Sequence, residues 1–203
     1  MPTRLVVLLV SLTIGVATVG YASPALAKHP SPPYSYGPSI EALADYEPQT
    51  GCRERAKPGV VAFADLLLET YPTTGSLGIL RGCDVGGTSE HKEGRAFDWA
   101  VSAKDTRDVA RVRNLMGWLL ATDRHGNRYA MVRRLGIQYM IWDHRIWRAY
   151  HATAGWAEYT GSVPHTDHVH FSFSWRGARK KTSFWSAPGA QSAGFKPVRA
   201  AGG

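Results

Sequence analysis

Two segments of the chain alternate strictly between apolar residues and polar or small residues, as half-buried β-strands do. The polar or small positions of residues 95–101 and 168–175 are Ala96, Asp98, Ala100, His168, His170, Ser172 and Ser174. The opposite faces are apolar and suit a hydrophobic core; their members are Phe97, Trp99, Val101, Val169, Phe171, Phe173 and Trp175. The pattern therefore predicts two strands, each with one face turned away from the core.

Apolar residues at helical spacing predict three helices elsewhere in the chain. The first has Pro58 in its first turn and ends near Pro72, and the others cover residues 106–121 and 128–135. Further apolar runs predict strands at residues 77–81, 136–142 and 146–150. Helices near the start and middle, with strands between and after them, predict an α+β fold. We expect a mainly antiparallel sheet with helices packed on one side.

The first 27 residues have the organisation of a secretory signal peptide. Arg4 supplies a positive charge, residues 5–19 are apolar, and residues 25–27 form an Ala-Leu-Ala cleavage site. The alternative is an uncleaved anchor, but the apolar run is short for a membrane span. We therefore predict a secreted, extracellular protein that begins at Lys28 and keeps no stable membrane span after cleavage.

Composition divides the rest of the chain into three parts. Residues 28–39 are rich in Pro and Ser and predict a flexible linker, and residues 186–203 are small and Gly-rich and predict a disordered tail. Residues 40–185 remain as one folded domain. A chain with 44% hydrophobic and 20% charged residues is not disordered throughout, because it has enough apolar side chains for a core.

The chain has only two cysteines, Cys52 and Cys83. In an exported protein this pair predicts a disulfide bond. The alternative is two buried thiols. Metal binding by the pair is disfavoured, because the residues are far apart and the compartment is oxidising.

The polar faces of the two alternating strands carry residue types that bind metal ions. Asp98 lies on one face, His168 and His170 lie on the other, and their small neighbours leave room for a cleft on the sheet. His91 precedes Asp98, and Gly94 between them lets the chain fold back towards the strand. His91, Asp98 and one late histidine can then meet, as a catalytic zinc set that leaves a position for water. The alternative is unrelated polar residues at strand ends.

The sequence SEHKEGRAFD at residues 89–98 resembles the S-x-H-x-x-G-x-A-x-D motif of the LAS zinc metallopeptidases. This superfamily includes D-alanyl-D-alanine carboxypeptidases and dipeptidases, murein endopeptidases and the Hedgehog amino-terminal domain. The H-x-H element at residues 168–170, with His165 before it, is most similar to the penicillin-insensitive murein endopeptidases. Residues 46–185 also resemble an actinobacterial secreted family related to this superfamily.

The resemblance implies a role for each residue of the two motifs. His91, Asp98 and His170 would bind Zn²⁺, and the zinc site would lie in a cleft on the sheet. His168 would be the base that takes a proton from the zinc-bound water. His165 would hydrogen-bond the substrate or the oxyanion.

Three further residues have alternatives that the resemblance leaves open. Carboxypeptidases of this group place a catalytic Glu three residues before the last ligand, and Asp167 stands there in this chain, so Asp167 is the alternative base to His168. Arg81 resembles an oxyanion-stabilising Arg of the dipeptidases, or is a surface Arg. Ser89 is a hydrogen-bond partner near the metal or the substrate, or caps a turn.

These features predict a secreted zinc peptidase, either a carboxypeptidase or an endopeptidase, whose partners are peptidoglycan peptides. The alternative is a non-catalytic zinc domain that binds cell-wall material or a protein partner, as in Hedgehog. A metal-dependent nuclease is a third hypothesis, but no nuclease motif is present and we expect no nucleic-acid partner. The formal net charge of +8 suits association with anionic wall polymers, or serves solubility alone.

Overall fold

A computed structural model describes residues 28–32, 35–53 and 55–186. The predicted signal peptide and the predicted tail beyond Ser186 lie outside the described residues. The strands in this part of the chain are β1 Gly75–Gly78, β2 Ala96–Ala100, β3 Ile137–Trp142, β4 Arg145–Arg148, β5 Trp156–Glu158 and β6 His168–Phe173. They form one sheet in the order β1-β2-β6-β3-β4-β5, and every neighbouring pair is antiparallel. The predicted α+β fold with an antiparallel sheet is confirmed.

Five α-helices and two 3₁₀ helices complete the described part of the chain. The helices are α1 Pro58–Thr70, α2 Thr106–Leu120, α3 Ala130–Leu135, α4 Trp175–Ala178, α5 Ser183–Ser186, and the 3₁₀ helices η1 Glu90–Glu93 and η2 Ala149–Ala154. None of the helices among the described residues is both long and apolar enough to cross a membrane.

The hydrophobic core lies between α1 and one face of the sheet. Phe63 of α1 makes edge-on ring contacts with Phe97 of β2 and with Phe171 and Phe173 of β6. All four rings are buried. The apolar faces predicted for the two alternating strands therefore do form core, and their polar faces point the other way.

Trp175 is an exception to the predicted core face. Strand β6 ends at Phe173, and the hydroxyl of Ser174 accepts a hydrogen bond from the amide of Gly177 at 3.2 Å. Ser174 thus caps a short helix in which Trp175 is the first residue and is only half-buried. The prediction that Trp175 continues the strand and packs in the core is wrong.

The two edge strands, β1 and β5, and β4 next to an edge differ most from their prediction. β1 occupies Gly75–Gly78 instead of residues 77–81, because a register shift and the positive φ of Gly78 end its pairing with β2. β4 stops at Arg148, and the chain continues as η2. Strand β5 has only three residues and no prediction corresponds to it. Short edge strands carry too few residues for a periodic signal.

The segment predicted to be a linker has contacts with the domain. The carbonyl of Lys28 accepts a hydrogen bond from the Tyr71 hydroxyl at 2.9 Å. The carbonyls of Gly37 and Ser39 accept hydrogen bonds from the buried guanidinium of Arg134 at 2.9 and 3.1 Å. These contacts join the segment to α1 and α3, and its predicted flexibility stays a prediction.

Arg95 joins the segment around residue 50 to the sheet. Its guanidinium is fully buried and donates to the Glu93 carboxylate at 2.6 Å and to the carbonyl of Phe173 at 3.0 Å. The other oxygen of Glu93 accepts hydrogen bonds from the amides of Thr50 and Gly51, both at 2.9 Å. The remaining guanidinium nitrogen donates to the carbonyl of Glu47. Every nitrogen and oxygen of this buried ion pair therefore has a partner, as a low-dielectric environment requires.

Arg95→Met should destabilise the fold by about 3–5 kcal/mol, because it leaves the buried carboxylate of Glu93 without its cation. Arg107→Met is the matched control, since Arg107 forms an exposed, solvent-screened ion pair with Asp105 and its loss should change stability much less. Urea unfolding of both variants measures the difference. Equal losses of stability would contradict the role of the buried pair.

The predicted disulfide bond between Cys52 and Cys83 is confirmed, with the two Cα atoms 5.8 Å apart. It ties the segment before α1 to the loop after β1. Protein from an oxidising compartment should show no free thiol, and Cys52→Ser with Cys83→Ser should cost about 3–4 kcal/mol for a closed loop of this length. Unfolding of the oxidised protein, the reduced protein and the double variant tests this. Two titratable thiols in the unreduced, denatured protein would refute it.

Candidate metal centre

The pairing of β2 with β6 brings the first two ligand candidates together. Asp98 is directly opposite His170 in the register of these strands, and Ala100 is opposite His168. Directly opposed residues of an antiparallel pair project on the same face of the sheet. The Nδ1 atom of His170 accordingly lies 2.9 Å from an oxygen of Asp98.

His91 reaches the same point from the 3₁₀ helix η1. The turn after η1 depends on Gly94, which has φ 67° and whose missing Cβ would lie 2.1 Å from the carbonyl oxygen of Arg55. The Nε2 atom of His91 lies 3.1 Å from Asp98 and 3.2 Å from Nδ1 of His170. His91, Asp98 and His170 thus form a buried group, which we call the triad, with all ligand atoms within 4.8 Å of one another.

The protons of the triad favour a cation between these atoms. Nδ1 of His91 lies 3.1 Å from the carbonyl oxygen of Ile79, which can only accept, so Nδ1 carries the proton. In a neutral ring Nε2 then presents a lone pair to the carboxylate of Asp98. Two acceptors facing each other at 3.1 Å require a proton or a metal ion between them. Two imidazole nitrogens and a carboxylate oxygen are typical ligands of zinc and related metals.

Electrostatics keeps both kinds of ligand in the form that binds metal. Burial alone raises the pKa of Asp98, but hydrogen bonds with His170 and His91 outweigh it and hold the pKa well below its ordinary value. Burial lowers the pKa of His170, although Asp98 opposes that shift. An ionised Asp98 carboxylate and a neutral His170 imidazole are therefore favoured at neutral pH.

His168 is held beside the triad by its neighbour in the sequence. Its Nδ1 atom is 2.7 Å from the carboxylate of Asp167, and its Nε2 atom is 3.7 Å from Asp98. The Asp167 side chain is 76% exposed, and its hydrogen bond with His168 lowers its pKa. Asp167 thus lies behind the ring of His168, and only the Nε2 side of that ring faces the triad.

His165 lies beside His168, with ring centroids 4.7 Å apart. Its Nδ1 atom is 2.6 Å from the carbonyl oxygen of Val163, so Nδ1 is the donor and Nε2 of the neutral ring can only accept. Burial, with the nearby His170 and His168, lowers the pKa of His165 to about 4. A neutral His165 suits a hydrogen bond from substrate better than one to an oxyanion, which needs a donor.

Tyr139 and Glu90 lie beside the triad, and neither was predicted from the sequence. The ring of Tyr139 stacks on His170, with centroids 5.4 Å apart and an interplanar angle of 21°. Its hydroxyl donates to the buried carboxylate of Glu90, and burial followed by the charge of Glu90 raises the pKa of Tyr139. Tyr139 belongs to β3, so only the pairing of β3 with β6 could have revealed this contact.

Arg81 and Ser89 are not drawn into the triad. Arg81 is half-buried in the loop after β1, and the described residues offer it no hydrogen bond or ion pair. Its role at an oxyanion stays a prediction. Ser89 is buried at the N-cap position of η1, where its amide donates to Gln49 at 2.7 Å and its side chain makes no capping bond.

Comparison with known families adds one finding. Residues 52–170 match the family model of the VldE C-terminal domain, which is more than half of the chain. The protein belongs to the VldE C-terminal domain family. The matched region runs from the first disulfide cysteine to the last residue of the triad. No match was found among curated proteins or among solved structures.

This VldE-family protein should bind about one metal ion per chain, and His91→Ala should abolish that binding, because three protein ligands are the minimum for a tight site. His151→Ala is the control, since His151 is exposed and outside the triad. Elemental analysis of protein purified without chelator gives the stoichiometry. A full equivalent of metal in His91→Ala protein would show that the ligand assignment is wrong.

Proposed function

We propose that this protein is a secreted zinc peptidase that hydrolyses peptide bonds in the stem or cross-link peptides of peptidoglycan. The observation that carries the proposal is the position of His168. Its ring is hydrogen-bonded to Asp167 on one side and faces the triad on the other. A positioned base beside a candidate metal site is what metal-assisted hydrolysis requires.

Zinc is the metal that best fits the donor set of the triad. Zinc held by His91, Asp98 and His170 would supply a bound water with a pKa of about 7 and would polarise the scissile carbonyl group. The triad offers three protein ligands and no fourth among the described residues, which is the arrangement of catalytic rather than structural zinc sites. The Cys52–Cys83 disulfide excludes both cysteines as ligands.

The hydrogen bond between His168 and Asp167 supports His168 as the base. The carboxylate of Asp167 accepts the Nδ1 proton, which fixes the tautomer and leaves Nε2 free to take a proton from water at the triad. Asp167 then acts through His168 and holds the ring in place. In this proposal His168 is the base and Asp167 is the residue that positions it.

The substrate class rests on the resemblance of the two motifs to murein endopeptidases and carboxypeptidases. A disulfide bond and the lack of a membrane-spanning helix among the described residues are compatible with an extracellular location. The net charge of +8 would favour association with anionic wall polymers. Peptidoglycan peptides are therefore the substrate that we propose to test first.

A non-catalytic zinc domain that binds wall material or a protein partner is the second candidate. The position of Asp167 favours it, because the carboxylate at the place of the catalytic Glu is exposed and bonded to His168. The Asp167 carboxylate is not part of the triad. Hydrolysis by the wild-type protein decides between the two candidates.

His168→Ala should keep its zinc and its fold but lose hydrolysis of peptidoglycan peptides by about 10²–10⁴-fold, the contribution of a general base. Asp167→Asn should lose less, because the ring of His168 remains. Mass spectrometry of digested peptidoglycan, with elemental analysis of each variant, measures both effects.

His151→Ala and chelator-treated wild type are the controls for this experiment. A wild-type rate in His168→Ala would remove His168 as the base, and a larger loss in Asp167→Asn would assign that role to Asp167. If zinc-loaded wild type releases no peptide from any wall preparation, the peptidase proposal fails and the binding-domain proposal replaces it.

A further inference from the structure

A cavity of about 680 Å³ lies outside the triad. Four cationic side chains line it: Arg53, Arg55, Lys57 and Arg179. Trp175 forms part of its wall, and no residue of the triad contributes to it. The cavity thus brings three segments of the chain together around a concentration of positive charge.

Within the part of the chain that the structure describes, the cationic side chains of the cavity have no carboxylate partner. Among the described residues, no ion pair includes any of the four. Glu93 also lines the cavity, but its carboxylate is bound to Arg95 and to two backbone amides. Glu54 follows Arg53 in the sequence and lies outside the described residues. When Glu93 is counted with its partner Arg95 and Glu54 is counted as well, five positive charges stand against two negative ones, an excess of three.

The cations of the cavity are close enough to act on one another. Burial is the main cause that lowers the pKa of Lys57, and the charges of Arg53, Arg179 and Arg55 lower it further. Like charges held together in this way destabilise the folded protein unless an anion offsets them. A bound anion would offset this repulsion.

The backbone of the cavity is fixed by the same turn that positions His91. The amide of Arg53 donates to the carbonyl of Lys92 at 2.7 Å, and the amide of Lys57 donates to the carbonyl of Gly94 at 2.8 Å. Between them the carbonyl of Arg55 packs against Gly94, where a side chain would collide with it. The cationic segment is therefore pre-organised, which reduces the entropy cost of binding a ligand.

Trp175 orients two of the cations. The guanidinium of Arg179 lies 4.4 Å from the centroid of the Trp175 ring, and the ammonium of Lys57 lies 5.7 Å from it. These cation–π contacts hold both side chains at the cavity wall without neutralising them. The charges stay available to a ligand.

We propose that this cavity binds an oligophosphate anion. Three arginines favour phosphate groups, because the guanidinium fork donates two parallel hydrogen bonds to a pair of phosphate oxygens. Four cations in one cavity match an anion with several charges. The proposal concerns the cationic cavity alone and does not depend on the peptidase proposal or on the metal.

Isothermal titration calorimetry with tripolyphosphate tests this inference directly on the full chain. Wild-type protein should bind it with saturation at one site, and Arg53→Gln with Arg179→Gln should weaken binding about 10-fold or more, the loss of two charge-assisted contacts. The matched control is Lys104→Gln with Arg113→Gln. Both residues are exposed and lie outside this cavity, and the two substitutions remove the same amount of charge. The control should change the dissociation constant less than about 2-fold, because screening at 0.15 M salt weakens distant charges.

A parallel titration with poly(glycerol phosphate) distinguishes a polymeric source of phosphate from a soluble one, and saturable binding of either probe supports the site. Arg55→Gln alone, which should weaken binding about 3-fold, keeps the test valid if the double variant does not fold. Equal weakening in the cavity and control variants would overturn the proposal, as would no binding of either probe. Duplex DNA that binds as tightly as tripolyphosphate and loses affinity equally in both variants would also overturn it, because that result indicates general attraction to polyanions.

Discussion

The antiparallel register between β2 and β6 is the constraint on which the candidate metal centre depends. It places Asp98 opposite His170 and Ala100 opposite His168 on the face of the sheet away from the core. A slip of one residue in either strand would turn that strand's ligand into the core and its apolar residues to the other face. The phenylalanine contacts between α1 and these strands prevent such a slip, because Phe97 and Phe171 must both meet Phe63. Packing on one face of the sheet thus sets the chemistry of the other.

The motif around His91 has a structural role as well as a candidate metal ligand. Glu93 and Arg95 form a buried ion pair, and both side chains also make hydrogen bonds with the backbone. Gly94 allows close contact with the segment before α1. These residues hold the turn, so His91 reaches the triad from a position that cannot easily shift. One turn therefore supports two features: the triad on one side of the motif and the cationic segment that packs against Gly94.

The histidines near the triad differ in what their surroundings allow. Nδ1 of His91 and Nδ1 of His165 each face a backbone carbonyl, and Nδ1 of His168 faces a carboxylate. In all three the Nε2 atom is left for the site. His170 is the exception, since its Nδ1 atom faces Asp98 and its ring is covered by Tyr139. Local hydrogen bonds therefore assign a tautomer to His91, His165 and His168, with the proton on Nδ1. At His170 the carboxylate of Asp98 favours a proton on Nδ1, and a cation bound at that atom would have to displace it.

The sequence by itself determined the features that depend on local order along the chain. A period of two in β2 and β6 separated the core face from the face that bears Asp98 and His170, and the motif at residues 89–98 identified His91. The two cysteines were sufficient to predict the disulfide, because a chain that is predicted to be exported and has one pair of cysteines has one possible connectivity. Edge strands and the cap at Ser174 were beyond this reasoning, since their signals are only a few residues long.

Only the tertiary structure decided which distant segments lie side by side. It placed β3 next to β6, so that Tyr139 covers His170, and it turned Asp167 towards His168 and away from the triad. It also gathered Arg179 with the cations at residues 53–57 around Trp175. The physical reason is the same in each case. Side-chain periodicity reports which way a residue faces on its own element, whereas contacts between elements follow from strand pairing and core packing across long stretches of chain.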